Sequence, residues 1–406
     1  MRSECSVFAE YAESNMKDII GSMEGYKIYE KLILLCSRAD QSEEVDEYIQ
    51  SLILDSMMNW DMFLGVLLNN RVNGVVYKKL IQYKGIPKYV IYYLRTIYEE
   101  QVMKGERHIQ EIQIINKALR EAHIHYAFLK GAYMNTFVYK VGERSSNDTD
   151  IMVWPEDLNK CGKVLEDMGY RQGYIKDGEF KAATRNDIIF AKMNTYEIVP
   201  YIKIMEDSHL PYHVIDINFK LSNDEKKGVS KRILDTVQDV ERGKYSLRIM
   251  RDENFLLYLC IHLYREATMV LQIMSGTDLT LYKFMDVHFF ILDREDSLDW
   301  DLMFEEAEIL GRLNDIYYTL YYTEELYPGT VCKKNLEKFK PESTDFLNEY
   351  KGRDNTKEVY KWNLNFKERV LNSERKLEAM PNISEEYKRY HNILDKLKKD
   401  DNITLS

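Results

Sequence analysis

Apolar residues recur three and four positions apart through the first hundred residues of the chain. Leu52, Ile53, Met57, Trp60, Phe63, Leu64, Leu67 and Leu68 fall on one face of a helix with this spacing. Pro87, in the break KGIPKY, starts a further helix whose face carries Val90, Leu94 and Ile97. Another helical stretch carries Ile109, Ile112, Ile115 and Leu119. The Tyr, Trp and Met residues in these stripes read as core. Residues 1–122 are therefore expected to form an N-terminal helical domain.

The period changes after Ala122. Short apolar runs at residues 126–129, 151–154, 188–191 and 214–219 alternate with helix-length segments and predict strands. In WPEDLNKCGKVLEDMG, Pro155 suits a first helical position, acids fill the first turn, and Gly169 fits a C-cap. KDGE at 176–179 and SNDEK at 222–226 read as turns or loops. Residues 123–225 thus predict a small α/β core. Helical spacing returns from Asp252, a plausible N-cap for ENFLLYLCIHLYREA, and continues in DLTLYKFMDVHFFIL. Beyond Pro341 the chain is highly charged and reads as a solvated helical extension. Residues 226–406 form the expected C-terminal helical region, and the fold class is α+β.

Length adds that 406 residues exceed one compact core, so two or three domains are expected. A formal charge of −11 disfavours a broad footprint on duplex nucleic acid, although a local basic groove stays open. Five cysteines without a CxxC pair read as reduced, mostly buried thiols. The opening MRSECSVFAEYAES has no apolar core of a signal peptide, and no window reaches about 18 uninterrupted apolar residues. Cytoplasmic residence without membrane association is the expectation.

Candidate chemistry concentrates in LKGAYMNTFVYKVGERSSNDTDIMV, residues 129–153. Alternate residues of a strand share a face, so Asp148 and Asp150 point the same way. Two such carboxylates repel unless a cation lies between them, and Mg²⁺ takes one or two carboxylates plus phosphate oxygens. A D-x-D pair alone is weak evidence, because such pairs also occur in surface loops. Gly131 lies where a strand turns into a helix, a place suited to a phosphate. Lys130 and Arg144 would supply cations for it, or else are ordinary solvated charge. Asp216 interrupts the apolar strand VIDINFKL and faces away from Ile215 and Ile217. It is either a third site carboxylate or part of a solvent-exposed strand face. His262, on an apolar helix, reads first as a packed histidine and second as a ligand contact. His123 and His125 lack a third ligand at zinc spacing, and no P-loop or nucleophile–histidine arrangement occurs.

These residues resemble the DNA-polymerase-β-like nucleotidyltransferase superfamily: a Gly-containing turn, Asp-x-Asp on a strand, and a third carboxylate on a later strand. Within it, LKG, a following Arg and the D-x-D-I strand resemble the family of uncharacterised bacterial nucleotidyltransferases. IDINFKL is similar to that family's Val-Asp-Leu-His-Trp-x-Leu strand and places its aspartate at Asp216. The resemblance reaches from the helical region at residues 60–77 to LYKFMDVHFFIL, where Lys283 and Asp286 match a basic residue and an aspartate. In all it covers roughly residues 50–295. Ala132 stands where the superfamily prefers Ser or Gly, and Asn218-Phe219 replace the family's His-Trp.

The resemblance implies a polymerase-β-type core flanked by helical regions, and transfer of an NMP from an NTP to an acceptor with release of pyrophosphate. It implies two Mg²⁺ ions, with Mn²⁺ as an alternative, at Asp148, Asp150 and Asp216. Lys130, Gly131, Arg144, Lys283 and Asp286 would bind the nucleotide. The acceptor, whether small molecule, peptide or protein, is not identified by the chain. Two rivals stand beside this reading: a non-catalytic nucleotide-sensing or partner-binding module, and a toxin-like nucleotidyltransferase acting on RNA or protein.

Overall fold

The computed structural model describes residues 16–40, 42–221, 225, 228–352 and 359–380. The opening segment with Cys5, most of the SNDEK loop and the tail beyond residue 380 lie outside the described residues. Eight strands form one mixed sheet in the order β4-β3-β5-β6-β2-β1-β8-β7. They are β1 (Tyr126–Phe128), β2 (Thr149–Val153), β3 (Arg171–Lys176), β4 (Glu179–Ala182), β5 (Tyr201–Ile204), β6 (Tyr212–Asn218), β7 (Val237–Arg242) and β8 (Tyr245–Met250). Helices surround the sheet, so the protein is α+β. Among the helices are α1 (Asn73–Leu80), α2 (Lys88–Glu121), α3 (Lys130–Tyr133), α4 (Arg185–Asn194), α5 (Asp252–Thr268) and α6 (Leu281–Asp293).

Strands β2 and β6 lie at the middle of the sheet and pair in parallel. Every residue of β2 is buried, and Ile215 and Ile217 of β6 are fully buried. Apolar side chains thus fix the register of both strands, because a one-residue slip would send them to the wrong face. Helix α2 joins the two helical stretches expected around Val90 and Ile109 into one helix of 34 residues, roughly 50 Å long. Its ends are anchored by Val90 and Leu94, and by Ile109, Ile112, Ile115 and Leu119, all buried.

Several elements differ from the sequence expectation. Residues 188–191 lie in helix α4, not in a strand. Thr184 accepts from the Asp187 backbone N–H, and Asp187 accepts from the Thr184 N–H, a capping box that starts a helix. The charged strand β3 and the edge strand β4 flank the KDGE turn, where Asp177 and Gly178 take positive φ. Strands also occur past residue 225, in the hairpin β7–β8. Asp252 is the first residue of α5, not its cap; its carboxylate accepts from Gln238 and Ser297.

The described residues after Pro341 do not form a solvated helical extension. Strands β9 (Glu349–Lys351) and β10 (Val359–Lys361) pair there, and Tyr350, Trp362 and Val370 are buried. Arg375 closes onto Asp278 in a fully buried ion pair, which explains how so charged a segment packs. Among the described residues no helix is long and apolar enough to cross a membrane. Cys36, Cys161 and Cys260 are buried free thiols.

Candidate functional site

The site begins at the turn between β1 and α3. The Leu129 N–H donates to the Asp150 carbonyl at 3.0 Å, which ties this turn to β2. Lys130 follows with φ of 30°, a conformation that L residues rarely adopt. Its ammonium reaches Asp150 Oδ1 at 3.2 Å and lies 5.9 Å from the Tyr258 ring centroid. Gly131 is buried, and a Cβ there would stand 2.8 Å from Ser146 Oγ and 2.9 Å from Arg144 Nη1. Only glycine lets the turn approach the Arg144 guanidinium so closely.

Asp150 and Asp216 are direct partners across the parallel β2–β6 pair, so their side chains stand on the same face of neighbouring strands. Asp148 immediately precedes β2. Burial raises the Asp216 carboxyl well above its ordinary range, and Asp150, Asp148 and Glu197 push it the same way. Asp150 is also raised, first by burial; Lys130 opposes this and Asp148 reinforces it. Burial alone would depress the Lys130 ammonium, but Asp150, Tyr258, Glu266 and Asp148 hold it well above its usual value. The acids of this face thus oppose one another's ionisation, and Lys130 works against that.

Helix α5 forms the opposite wall. Tyr258, His262 and Glu266 recur four residues apart and so share one side. Glu266 meets the Lys283 ammonium at 2.6 Å, and His262 Nδ1 lies 3.4 Å from Glu266. Burial pushes His262 well below its ordinary pKa, so the imidazole is neutral. Arg265 sits 4.2 Å over the Tyr196 ring, beside Glu197. Glu197 bridges to Asn218 at the end of β6.

The structure brings together Lys130, Gly131, Asp148, Asp150 and Asp216. Arg144 and Asp286 are joined to each other: Nε donates at 2.8 Å to Oδ1 and Nη2 at 2.8 Å to Oδ2, with both side chains almost fully buried. That pairing occupies the fork of the guanidinium, and its Nη1 edge faces Gly131. Lys283 also donates to the Thr277 carbonyl at 2.5 Å and is directed at Glu266. Asp187 is committed to its cap.

Sequence reasoning passes over Tyr196, Tyr258, Arg265 and Glu266. The four-residue recurrence of Tyr258, His262 and Glu266 along α5 is the signal that finds two of them. Lys104 is likewise missed; it donates to Asn147 Oδ1 at 2.7 Å, next to Asp148. It lies on α2, far away in sequence, and no local pattern announces it.

The donor set is one of hard carboxylate oxygens, which suit Mg²⁺ or Mn²⁺. Among the described residues no three His, Cys, Asp or Glu side chains are drawn together closely enough to hold a metal unaided. Mg²⁺ needs only one or two protein carboxylates when phosphate and water complete its shell, so the acids fit a metal–nucleotide pair. Residues 56–328 match the family described as uncharacterised nucleotidyltransferase, and the chain belongs to that family. No curated protein matches the chain.

Proposed function

We propose that the chain is a Mg²⁺-dependent nucleotidyltransferase with a polymerase-β-type core, moving an NMP from an NTP to an acceptor. The observation that carries this reading is the side-by-side placement of Asp150 and Asp216, with Lys130 at Asp150. Asp148 and Asp150 would hold the metal–triphosphate, and Asp216 the acceptor side. Bound Mg²⁺ supplies charge neutralisation and a more acidic acceptor hydroxyl.

The chain's own groups then have distinct tasks. Lys130 leaves the Asp150 carboxylate for a phosphate oxygen as the nucleotide arrives, exchanging one charge-assisted contact for another. Gly131 admits the phosphates to the turn, with the Arg144 Nη1 edge behind it. The Arg144–Asp286 pair holds the segment that leads into Asp148, and Lys283 with Glu266 frames the α5 wall. Asp216 orients the acceptor hydroxyl and helps take its proton. The acceptor oxygen forms a bond to the α-phosphorus, the bond from the α-phosphorus to the bridging oxygen breaks, and pyrophosphate leaves with that electron pair. The free thiols fit a reducing compartment, and the proposal sets the reaction in the cytoplasm.

The test incubates the protein with each α-labelled NTP, Mg²⁺ and host lysate, then fractionates protein, RNA and small molecules. Label should enter one fraction with wild type and none with the Asp148→Ala, Asp150→Ala double variant. NTP binding without transfer to any fraction would replace this reading with the non-catalytic module.

A further inference from the structure

Behind the acidic face lies a second set of polar groups that the proposed chemistry does not use. Thr149, between Asp148 and Asp150, points to the other side of β2 and is fully buried. Its hydroxyl lies 2.8 Å from His108 Nε2 on α2 and 3.2 Å from His213 Nε2 on β6. His213 Nδ1 lies 2.9 Å from the Tyr170 hydroxyl, which stands 3.5 Å from Glu111 Oε2 on α2. Lys203, the partner of His213 on β5, reaches the same Glu111 oxygen at 3.2 Å. His108, Thr149 and His213 are all buried, so each hydrogen bond substitutes for lost water.

We propose that His108, Thr149, His213 and Tyr170 form one polarised hydrogen-bond chain that positions the acid-bearing strands β2 and β6. Its hydrogens all point from His108 toward Glu111. A carboxylate paired with Lys203 accepts and does not donate, so it draws the Tyr170 hydrogen. Tyr170 Oη then accepts from His213 Nδ1–H, which leaves His213 Nε2 bare. The Thr149 hydroxyl donates to that nitrogen and accepts from His108 Nε2–H. His108 Nδ1 is left as a lone pair in the neighbourhood of the Lys104 and Arg144 cations, which favour it. The reverse order would put a proton on His108 Nδ1 in the field of those cations and turn a hydroxyl lone pair toward Glu111.

Both imidazoles are neutral, as the chain requires. Burial, with Lys104 and Arg144, pushes His108 down to about 4. Burial, with His108 and Lys203, pushes His213 well below its ordinary value. The chain crosses from α2 through β2 to β6 where Asp150 and Asp216 are paired, so it fixes the spacing of those strands from behind. These are positioning residues, acting through the backbone of their neighbours.

The positioning role rests on the metal–nucleotide reading above, whereas the hydrogen order does not. Long-range ¹⁵N–¹H spectra of the wild-type protein, assigned with His108 and His213 variants, read the tautomers at pH 7. His108 should carry its proton on Nε2 and His213 on Nδ1; the opposite pair, or an imidazolium at either, overturns the polarity. In parallel, Thr149→Val keeps the shape and removes the hydroxyl, while Thr149→Ser keeps the hydroxyl. Thr149→Val should weaken Mg²⁺-dependent NTP binding about 10- to 100-fold, as loss of outer-shell partners does, and Thr149→Ser should restore it. Equal affinity of Thr149→Val and wild type, or a Thr149→Ser as weak as Thr149→Val, overturns the positioning role. A wild type that binds no NTP with Mg²⁺ removes that role together with the functional reading, while the spectra still decide the chain's polarity.

Discussion

On one face of β2 and β6, Asp150 and Asp216 stand side by side with Asp148 and Glu197 near them and one lysine between. On the other face of the same strands, Thr149 and His213 share a hydrogen-bond chain with His108 and Tyr170 that ends at the Glu111–Lys203 ion pair. The front repels itself; the rear is satisfied. Buried polar networks rigidify when fully partnered, whereas like charges left together raise the energy of the fold. The contrast suggests that strain sits where a ligand would relieve it, on strands held firm from behind.

The largest effect should come from the front. If Asp216 serves the acceptor side, Asp216→Asn keeps its shape yet should lower label transfer on the order of 10²–10³-fold or more, as lost transition-state stabilisers do. NTP affinity measured on the same variant should change only modestly. Near-normal transfer would move the third carboxylate elsewhere, with Glu197 next in line.

Lys130 tests the cation on that face. Lys130→Ala removes a charge-assisted phosphate contact of about 1.5–3 kcal/mol, so calorimetry should find NTP binding weaker by roughly one to two orders of magnitude. Unchanged affinity would reduce Lys130 to a partner of Asp150 alone.

A smaller effect, of opposite sign, should appear without ligand. The Asp216 carboxyl is raised in the folded protein, so its ionisation destabilises the fold above the folded pKa, and the penalty vanishes below the unfolded value of 3.8. Asp216→Asn in metal-free buffer should therefore raise stability by about 1–2 kcal/mol at neutral pH. That gain should shrink as pH falls toward 4 in denaturant titrations. A variant less stable than wild type at neutral pH would mean that the front is not under like-charge strain.

The smallest effect sharpens the comparison from outside it. Asp187 closes the capping box of α4 with Thr184 and is bonded there. Asp187→Asn should cost about 0.3–1 kcal/mol of stability and leave Mg²⁺-dependent NTP binding unchanged. Weakened binding would bring α4 into the site.

Much of the front was legible in the chain. Alternation fixes Asp150 and Asp216 on the side of β2 and β6 opposite Ile151, Ile215 and Ile217, and Gly131 marks the strand-to-helix turn, although its close approach to Arg144 shows only in the fold. What the chain did not reveal arrives from a distance. Nothing local shows that Arg144 meets Asp286, 142 residues away, or that Lys283 turns to Glu266. The short apolar run at 188–191 reads as a strand by sequence, yet so short a run does not tell strand from helix, and the Thr184–Asp187 cap decides for helix. Strands β3 and β4 are polar on both faces and carry little periodicity, whereas β8, with Leu247 and Ile249 buried in alternation, does carry a period-two signal. The rear chain is the least visible part, since His108, Thr149, Tyr170 and His213 come from four separate segments.

The central claim is that the acidic face takes divalent metal together with nucleotide. Counting bound Mn²⁺ by electron paramagnetic resonance, at saturating non-hydrolysable NTP, tests it directly. Wild type should hold more bound Mn²⁺ than the nucleotide alone accounts for, and the Asp148→Ala, Asp150→Ala variant should lose that excess while keeping its fold. An identical Mn²⁺ count and affinity in the two proteins would contradict the account.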